Sequence, residues 1–198
     1  MKKKSLRRSR PLSFTPESRG IAADHQDGYE DLYFLAQSCH KAAKKLTGSL
    51  QLGLNPLGDF DAYPVLIMYR HAVELFMKAM ILGEGGNFLE RKPDEISVSK
   101  SRSVSWLAQF VMQIVTALGC EEEFRCAGVQ NLADFKRLVG EVNEIDAMNL
   151  TFVPGRNPMT HLPDLFRRLD ALLDLLDSTA DALAAEWDLR NGICGMMR

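Results

Sequence analysis

The feature that most constrains the fold is the segment YPVLIMYRHAVELFMKAMILGEG, residues 63–85. Its apolar residues recur on nearly every side of a helix that we place at 62–84. Pro64 is tolerated in a first helical turn, and Gly83, Gly85 and Gly86 provide a stop signal. A helix that is apolar nearly all round is buried, so this segment predicts the central helix of a bundle.

Apolar residues also recur at helical spacing in four other segments. We predict these further helices at 28–47, 103–119, 129–146 and 163–190. The five helices cover just over half of the chain, whereas about a third is usual in globular proteins. The segment ISVSKSRSVS is predicted to be a loop because of its serine and charge content. The sequence therefore predicts an all-α, up-and-down bundle of four to five helices.

Charge divides the chain into a basic N-terminal arm and an acidic body. Residues 1–20 carry seven basic side chains against Glu17 alone, a net charge of +6, and the rest of the chain carries a net −8. We predict a disordered basic tail at 1–27, a bundle at 28–190 and a short tail at 191–198. The arm is either a solvated tail or a contact for phosphates. The acidic body argues against general binding of double-stranded DNA.

Composition excludes several other classes of protein. No stretch approaches 18 uncharged apolar residues, so we expect no membrane span. The basic N-terminus has no apolar segment behind it, so we expect a cytoplasmic protein rather than a secreted one. The cysteines and histidines lack the spacing of a zinc site, and no phosphate-binding loop is present. We therefore predict neither a metal nor a cofactor.

One group of carboxylates lies at helical spacing in the last predicted helix. It consists of Asp170, Asp174, Asp177 and Asp181. Such a group could bind a hard cation. We interpret it instead as a solvated polar face opposite the leucines of the same helix.

The central helix carries a stripe of polar residues along one flank. Arg70, Glu74 and Lys78 are four residues apart, and His71 lies three before Glu74. Buried charges must be paired or reach a cavity. The stripe is therefore either structural, with Glu74 pairing to both cations, or the lining of a binding pocket. The structural alternative is favoured.

A second candidate site is the segment Arg156-Asn157-Pro158-Met159-Thr160-His161, ahead of the last helix. Histidine titrates near neutral pH and can act as a general acid or base. Arginine is a permanent ligand for phosphate and stabilises charge in a transition state. RNA supplies its own nucleophile, the 2′-hydroxyl, so this pair could cleave a phosphodiester without a metal.

Taken together, these patterns resemble the HEPN superfamily (higher eukaryotes and prokaryotes nucleotide-binding). YRHAVELFMKAMIL is similar to the Arg/His-Ala-x-Glu-Leu-x-x-Lys-Ala pattern of many bacterial HEPN-like proteins. EVNEIDAMNLTFVPGRNP resembles the loop that precedes their last helix, and Arg156 with His161 matches their Arg–His signature. The resemblance covers about residues 28–190.

The resemblance implies a four- or five-helix up-and-down bundle, and many members of the family act in toxin–antitoxin systems or antiviral defence. Active members are metal-independent ribonucleases that usually dimerise, often beside a nucleotidyltransferase or antitoxin partner. Carried over to this chain, His161 would be the acid–base, Arg156 the phosphate ligand and Asn157 the residue that orients the histidine. Glu74 would be a supporting polar residue.

Two functions follow from the resemblance and stay open. Pro158 lies inside the Arg–His motif and Pro163 follows it closely, so the last helix is predicted to begin near Pro163. The motif would then lie on a loop, whereas active members place it in the first turns of the helix. We therefore favour a non-catalytic HEPN-like protein that binds a nucleotide, nucleic acid or protein partner. The alternative is a metal-independent endoribonuclease that uses Arg156 and His161.

Overall fold

The computed structural model describes residues 27–50, 58–147 and 162–190. Within these ranges the chain forms six α-helices and one short 3-10 helix. The helices are α1 (Asp27–Thr47), α2 (Gly58–Leu82), α3 (Glu95–Lys100), α4 (Val104–Leu118), α5 (Leu132–Ala147) and α6 (Leu162–Arg190). The predicted all-α bundle is confirmed.

Helix α2 is the centre of the bundle. It packs against α1, α4, α5 and α6, and every residue from Ala72 to Ile81 is buried. Tyr69, Phe76 and Met77 are its largest fully buried side chains. The all-round apolar pattern of this segment thus corresponds to a helix that is surrounded by its neighbours.

Helix α2 begins earlier than we predicted. It starts at Gly58 rather than at residue 62 and ends at Leu82. Pro64 therefore lies inside the helix, beyond the first turn. Gly83 is the N-cap of the 3-10 helix Glu84–Phe88, in which Gly85 and Gly86 are buried.

The segment ISVSKSRSVS is not entirely a loop, as we had predicted, because it contains α3. The Asp94 carboxylate accepts hydrogen bonds from the Ser97 backbone N–H and from the Ser97 hydroxyl, both at 2.9 Å. These bonds cap the helix N-terminus. Val98 is fully buried and fixes the helix to the core.

The predicted start of α5 at residue 129 is also wrong. Cys126 and Val129 form an isolated bridge, with backbone hydrogen bonds of 2.9 and 3.0 Å. The helix begins only at Leu132, after the Asn131 side chain accepts a hydrogen bond from the Asp134 backbone N–H at 3.0 Å. Val129 is buried as a core residue, but it is not helical.

Contacts between named side chains give the directions of α1 and α6. Tyr29 and Thr47, near opposite ends of α1, contact Glu84 and Tyr69 respectively. Helix α1 is therefore antiparallel to α2. Tyr33 contacts Asp181 and His40 contacts Asp170, so α1 is antiparallel to α6 as well. As a result, the N-terminal part of α1 lies beside the C-terminal parts of both α2 and α6.

Candidate functional site

The polar stripe on α2 is a buried, ion-paired cluster. Glu74 Oε1 accepts a hydrogen bond of 2.7 Å from Lys78 Nζ, and Glu74 Oε2 accepts one of 3.2 Å from Arg70 Nη1. The three residues are only 6 to 8% exposed. Both pairs join residues one helical turn apart, as the structural alternative predicts. We call Arg70, Glu74 and Lys78 the ion-paired stripe.

The same cations also hold the last turn of α3 and the connection from α3 to α4. Arg70 Nη2 donates a hydrogen bond of 2.7 Å to the Arg102 carbonyl, and Lys78 Nζ donates one of 2.9 Å to the Ser99 carbonyl. The backbone from Ser99 to Arg102 thus lies along α2. Lys78 and Arg70 thus supply hydrogen-bond donors to two backbone carbonyls near the end of α3, where the helical hydrogen-bond pattern stops.

His71 does not join the ion-paired stripe. It is exposed, whereas Arg70 and Glu74 are buried. The four residues that we considered as one pocket stripe are therefore divided between the inside and the outside of the bundle. In this arrangement the charges of the stripe are directed at each other and at the α3–α4 connection.

The predicted Arg–His motif lies outside the described residues. Arg156, Asn157 and His161 fall between the end of α5 at Ala147 and the start of α6 at Leu162. Helix α6 begins one residue before Pro163, close to the predicted boundary. Leu162 is buried in the core.

The carboxylates of α6 form a polar seam with α1 rather than the fully solvated face that we predicted. Gln37 Nε2 donates a hydrogen bond of 3.0 Å to Asp177, and the Tyr33 hydroxyl donates one of 3.0 Å to Asp181. The spacing of three or four residues places the aspartates on the side of α6 that meets α1, with Asp174 and Asp181 still exposed to solvent.

The deepest part of this seam joins three helices. His40 Nε2 lies 3.0 Å from Asp170 Oδ1, and the Tyr69 hydroxyl donates a hydrogen bond of 2.9 Å to the same oxygen. His40 is 8% exposed, and Tyr69 is fully buried and stacks on Phe166 with ring centroids 5.6 Å apart. Burial and the nearby Asp170 carboxylate raise the pKa of Tyr69 above its ordinary range.

A cleft opens where the N-terminal part of α1 meets the C-terminal parts of α2 and α6. It encloses about 300 Å³. Its apolar and aromatic lining comes from Phe34 and Met80 together with Tyr29 and Tyr33. We call this site the tyrosine cleft. Its volume is at the lower end of the range for ligand pockets.

Both tyrosines of the cleft are bound to carboxylates. The Tyr29 hydroxyl donates a hydrogen bond of 2.7 Å to Glu84 Oε1, and Tyr33 donates to Asp181 as described above. Burial, followed by the nearby carboxylates, raises the pKa of both tyrosines, so both stay protonated to a higher pH than a free tyrosine does. Glu30 contributes a third carboxylate to the lining.

The charge of the tyrosine cleft is one-sided. Of the lining residues that the structure describes, three are acidic and none is basic. Phe34 is 60% exposed and presents its ring at the rim. Such a site is suited to a cationic group on an apolar stem.

Sequence reasoning did not find the tyrosine cleft. The available signal was the pair Tyr29 and Tyr33, one turn apart on α1, together with the helical spacing of the aspartates on α6. Neither pattern indicates by itself that the two helices are neighbours.

Other classes of site are not evident in the described part of the chain. Across residues 27–50, 58–147 and 162–190, no group of three histidine, cysteine or acidic side chains is placed to hold a metal ion. None of the described helices has both the length and the apolar content needed to span a bilayer. No protein-family model, curated protein or solved structure matches the chain.

Proposed function

We propose that this chain is a HEPN-like, non-catalytic interaction protein that binds a basic segment of a protein partner in the tyrosine cleft. The observation that carries the proposal is the composition of the cleft, with three carboxylates, aromatic rings and no described basic residue. The context implied by the resemblance is a toxin–antitoxin or defence system. The resemblance also leads us to expect a homodimer.

The cleft favours a protein partner over a nucleotide or nucleic acid. Phosphate groups would be repelled by Glu30, Glu84 and Asp181, which line the site together. The same carboxylates would attract the charge of a lysine or arginine side chain. Its methylene groups would contact the apolar floor, and its charge would lie near the carboxylates and the Phe34 ring.

The contacts of the ion-paired stripe favour a structural role over catalysis at α2. Lys78 and Arg70 both bond to Glu74, and they also donate to the carbonyls of Ser99 in the last turn of α3 and of Arg102 in the α3–α4 connection, respectively. Glu74, which the resemblance offers as a supporting polar residue, thus has both carboxylate oxygens engaged within the bundle. The endoribonuclease alternative depends entirely on Arg156 and His161.

A binding experiment tests the proposal. A fluorescein-labelled peptide rich in lysine and leucine is titrated with the protein, and its anisotropy is compared with that of labelled single-stranded RNA. We expect saturable binding of the peptide. The variant Glu84→Gln/Asp181→Asn should weaken this binding about tenfold, because two charge contacts are lost.

The matched control removes two carboxylates elsewhere. Glu95 and Glu122 are exposed, and neither lines the cleft. The variant Glu95→Gln/Glu122→Gln has the same net charge as the cleft variant and should bind the peptide like the wild type. Equal weakening by both variants would show nonspecific attraction to an acidic protein and would overturn the proposal.

A second experiment addresses the alternative. Single-stranded RNA is incubated with the wild type and with His161→Ala in the presence of a chelator. We expect no cleavage by either protein. Cleavage by the wild type that the variant loses would establish the endoribonuclease instead.

A further inference from the structure

The basic arm and the tyrosine cleft are close along the chain. Helix α1 begins at Asp27, and the cleft is lined from Tyr29 onward. The arm carries a net charge of +6 over residues 1–20, and the cleft presents three carboxylates. The positive charge of the arm therefore precedes α1 in the chain, and the three carboxylates lie around the first turns of that helix.

The arm also has the apolar groups that the cleft floor would accept. Leu6, Leu12 and Phe14 lie in the same segment as the basic residues of the arm. The exposed Phe34 ring offers apolar surface in the cleft, which Ala180 and Ala184 also line. The two surfaces thus match in both charge and polarity, which is the combination that distinguishes a specific contact from general attraction.

The length of the arm is sufficient to reach the cleft. A flexible chain of the length that separates Lys4 from Asp27 has a root-mean-square span on the order of 25 Å. The cleft lies within the first turns of α1, well inside that span. Tethering at such short range gives an effective concentration of about millimolar, so a weak individual contact is populated within one molecule.

We propose that residues 1–20 of the chain occupy the tyrosine cleft of the same molecule when no partner is bound. The inference rests on the proposed function, because it uses the same cleft and the same recognition of lysine and arginine side chains. The arm then acts as an internal competitor. A partner with a basic segment gains access by displacing it, so the apparent affinity for the partner is the intrinsic affinity multiplied by the fraction of molecules whose cleft is free.

Zero-length cross-linking tests this contact on the full chain. A water-soluble carbodiimide joins an ammonium and a carboxylate in contact to form an amide, and the carbodiimide takes up the released water as a urea. The reactive amines of the arm are Lys2, Lys3 and Lys4. We expect their cross-links, located by mass spectrometry, to fall on Glu30, Glu84 and Asp181.

Controls make the result specific. Glu95 and Glu122 are exposed carboxylates outside the cleft and should form few cross-links with the arm. Raising the salt concentration to about 1 M should remove the cleft cross-links, because screening is then nearly complete over a few ångströms. An even spread of cross-links over exposed carboxylates, or none from the arm, would overturn the inference.

An isotope experiment separates contact within one molecule from exchange between molecules. Unlabelled protein is mixed with protein labelled uniformly with a heavy nitrogen isotope before cross-linking. We expect both peptides of each cross-link to carry the same label. Mixed-label cross-links in statistical proportion would place the arm in a second copy and contradict the inference.

A failure of this inference can be distinguished from a failure of the proposed function. If the arm does not cross-link to the cleft but the lysine-rich peptide binds there, only the internal contact is lost. If the arm is docked, replacing its seven basic residues by glutamine should strengthen peptide binding severalfold. An unchanged affinity in that variant would contradict competition by the arm.

Discussion

Lys78 donates a hydrogen bond of 2.7 Å to Glu74, one turn earlier on a helix that is buried along this whole stretch. Arg70 approaches the same carboxylate from the other side. One acidic group therefore compensates two buried cations, and the two cations also hold the last turn of α3 and the α3–α4 connection. The ion-paired stripe, for which the sequence left a binding pocket open, thus fixes a backbone segment to the central helix.

Removing the shared carboxylate should destabilise the fold strongly. Glu74→Leu leaves two buried cations without their partner, and we expect it to lower the free energy of unfolding by about 3–5 kcal/mol. The measurement is chemical denaturation. His71→Ala, on the exposed side of the same helix, is the matched control and should change stability by less than about 0.5 kcal/mol. A loss below about 1 kcal/mol for Glu74→Leu would contradict the structural role.

High pH should destabilise the protein through its buried tyrosines. The pKa of Tyr69 is raised by burial and by Asp170, whereas an unfolded tyrosine titrates near pH 10. Above about pH 10 the unfolded state loses protons that the folded state retains, so the free energy of unfolding falls as the pH rises. Below that pH this contribution to stability is fully present.

The variant Tyr69→Phe separates this effect from general alkaline unfolding. It should lose about 1 kcal/mol at neutral pH, because the hydrogen bond to Asp170 is missing. It should also show a shallower loss of stability above about pH 10 than the wild type. A denaturation series across this range measures both effects. Parallel pH profiles for the two proteins would contradict the assignment.

Two glycines should respond in opposite directions to alanine. A side chain at Gly85 would collide with the Met80 carbonyl oxygen and would lie 3.0 Å from Ile114 Cδ1. We expect Gly85→Ala to cost about 1–3 kcal/mol. At Gly140, inside α5, an added methyl group would meet only open space, so Gly140→Ala should stabilise by about 0.5–1 kcal/mol. Thermal denaturation of both variants provides the comparison.

The sequence was sufficient to predict what depends on local periodicity. The all-round apolar pattern of α2 identifies the central helix, and the spacing of Arg70, Glu74 and Lys78 indicates which residues can pair. Both features involve residues one or a few turns apart. They can be inferred without knowing which other helix lies nearby.

Features that depend on distant partners were not predicted. The aspartates of α6 have the same spacing whether they face water or α1, and only their hydrogen bonds to Tyr33 and Gln37 distinguish the two cases. Helix α3 was missed because it spans only six residues, too few for a periodic pattern. The tyrosine cleft is formed by three helices and has no signature within any one of them.

The most direct test of the account locates the bound peptide on the protein. Amide chemical shifts of isotope-labelled protein are followed while the lysine-rich peptide is added to saturation. We predict that the largest changes occur at Tyr29, Phe34, Gly85 and Ala184, around the tyrosine cleft. Changes centred instead on α3 and the start of α4, or no changes at saturating peptide, would contradict the proposal that this cleft is the binding site.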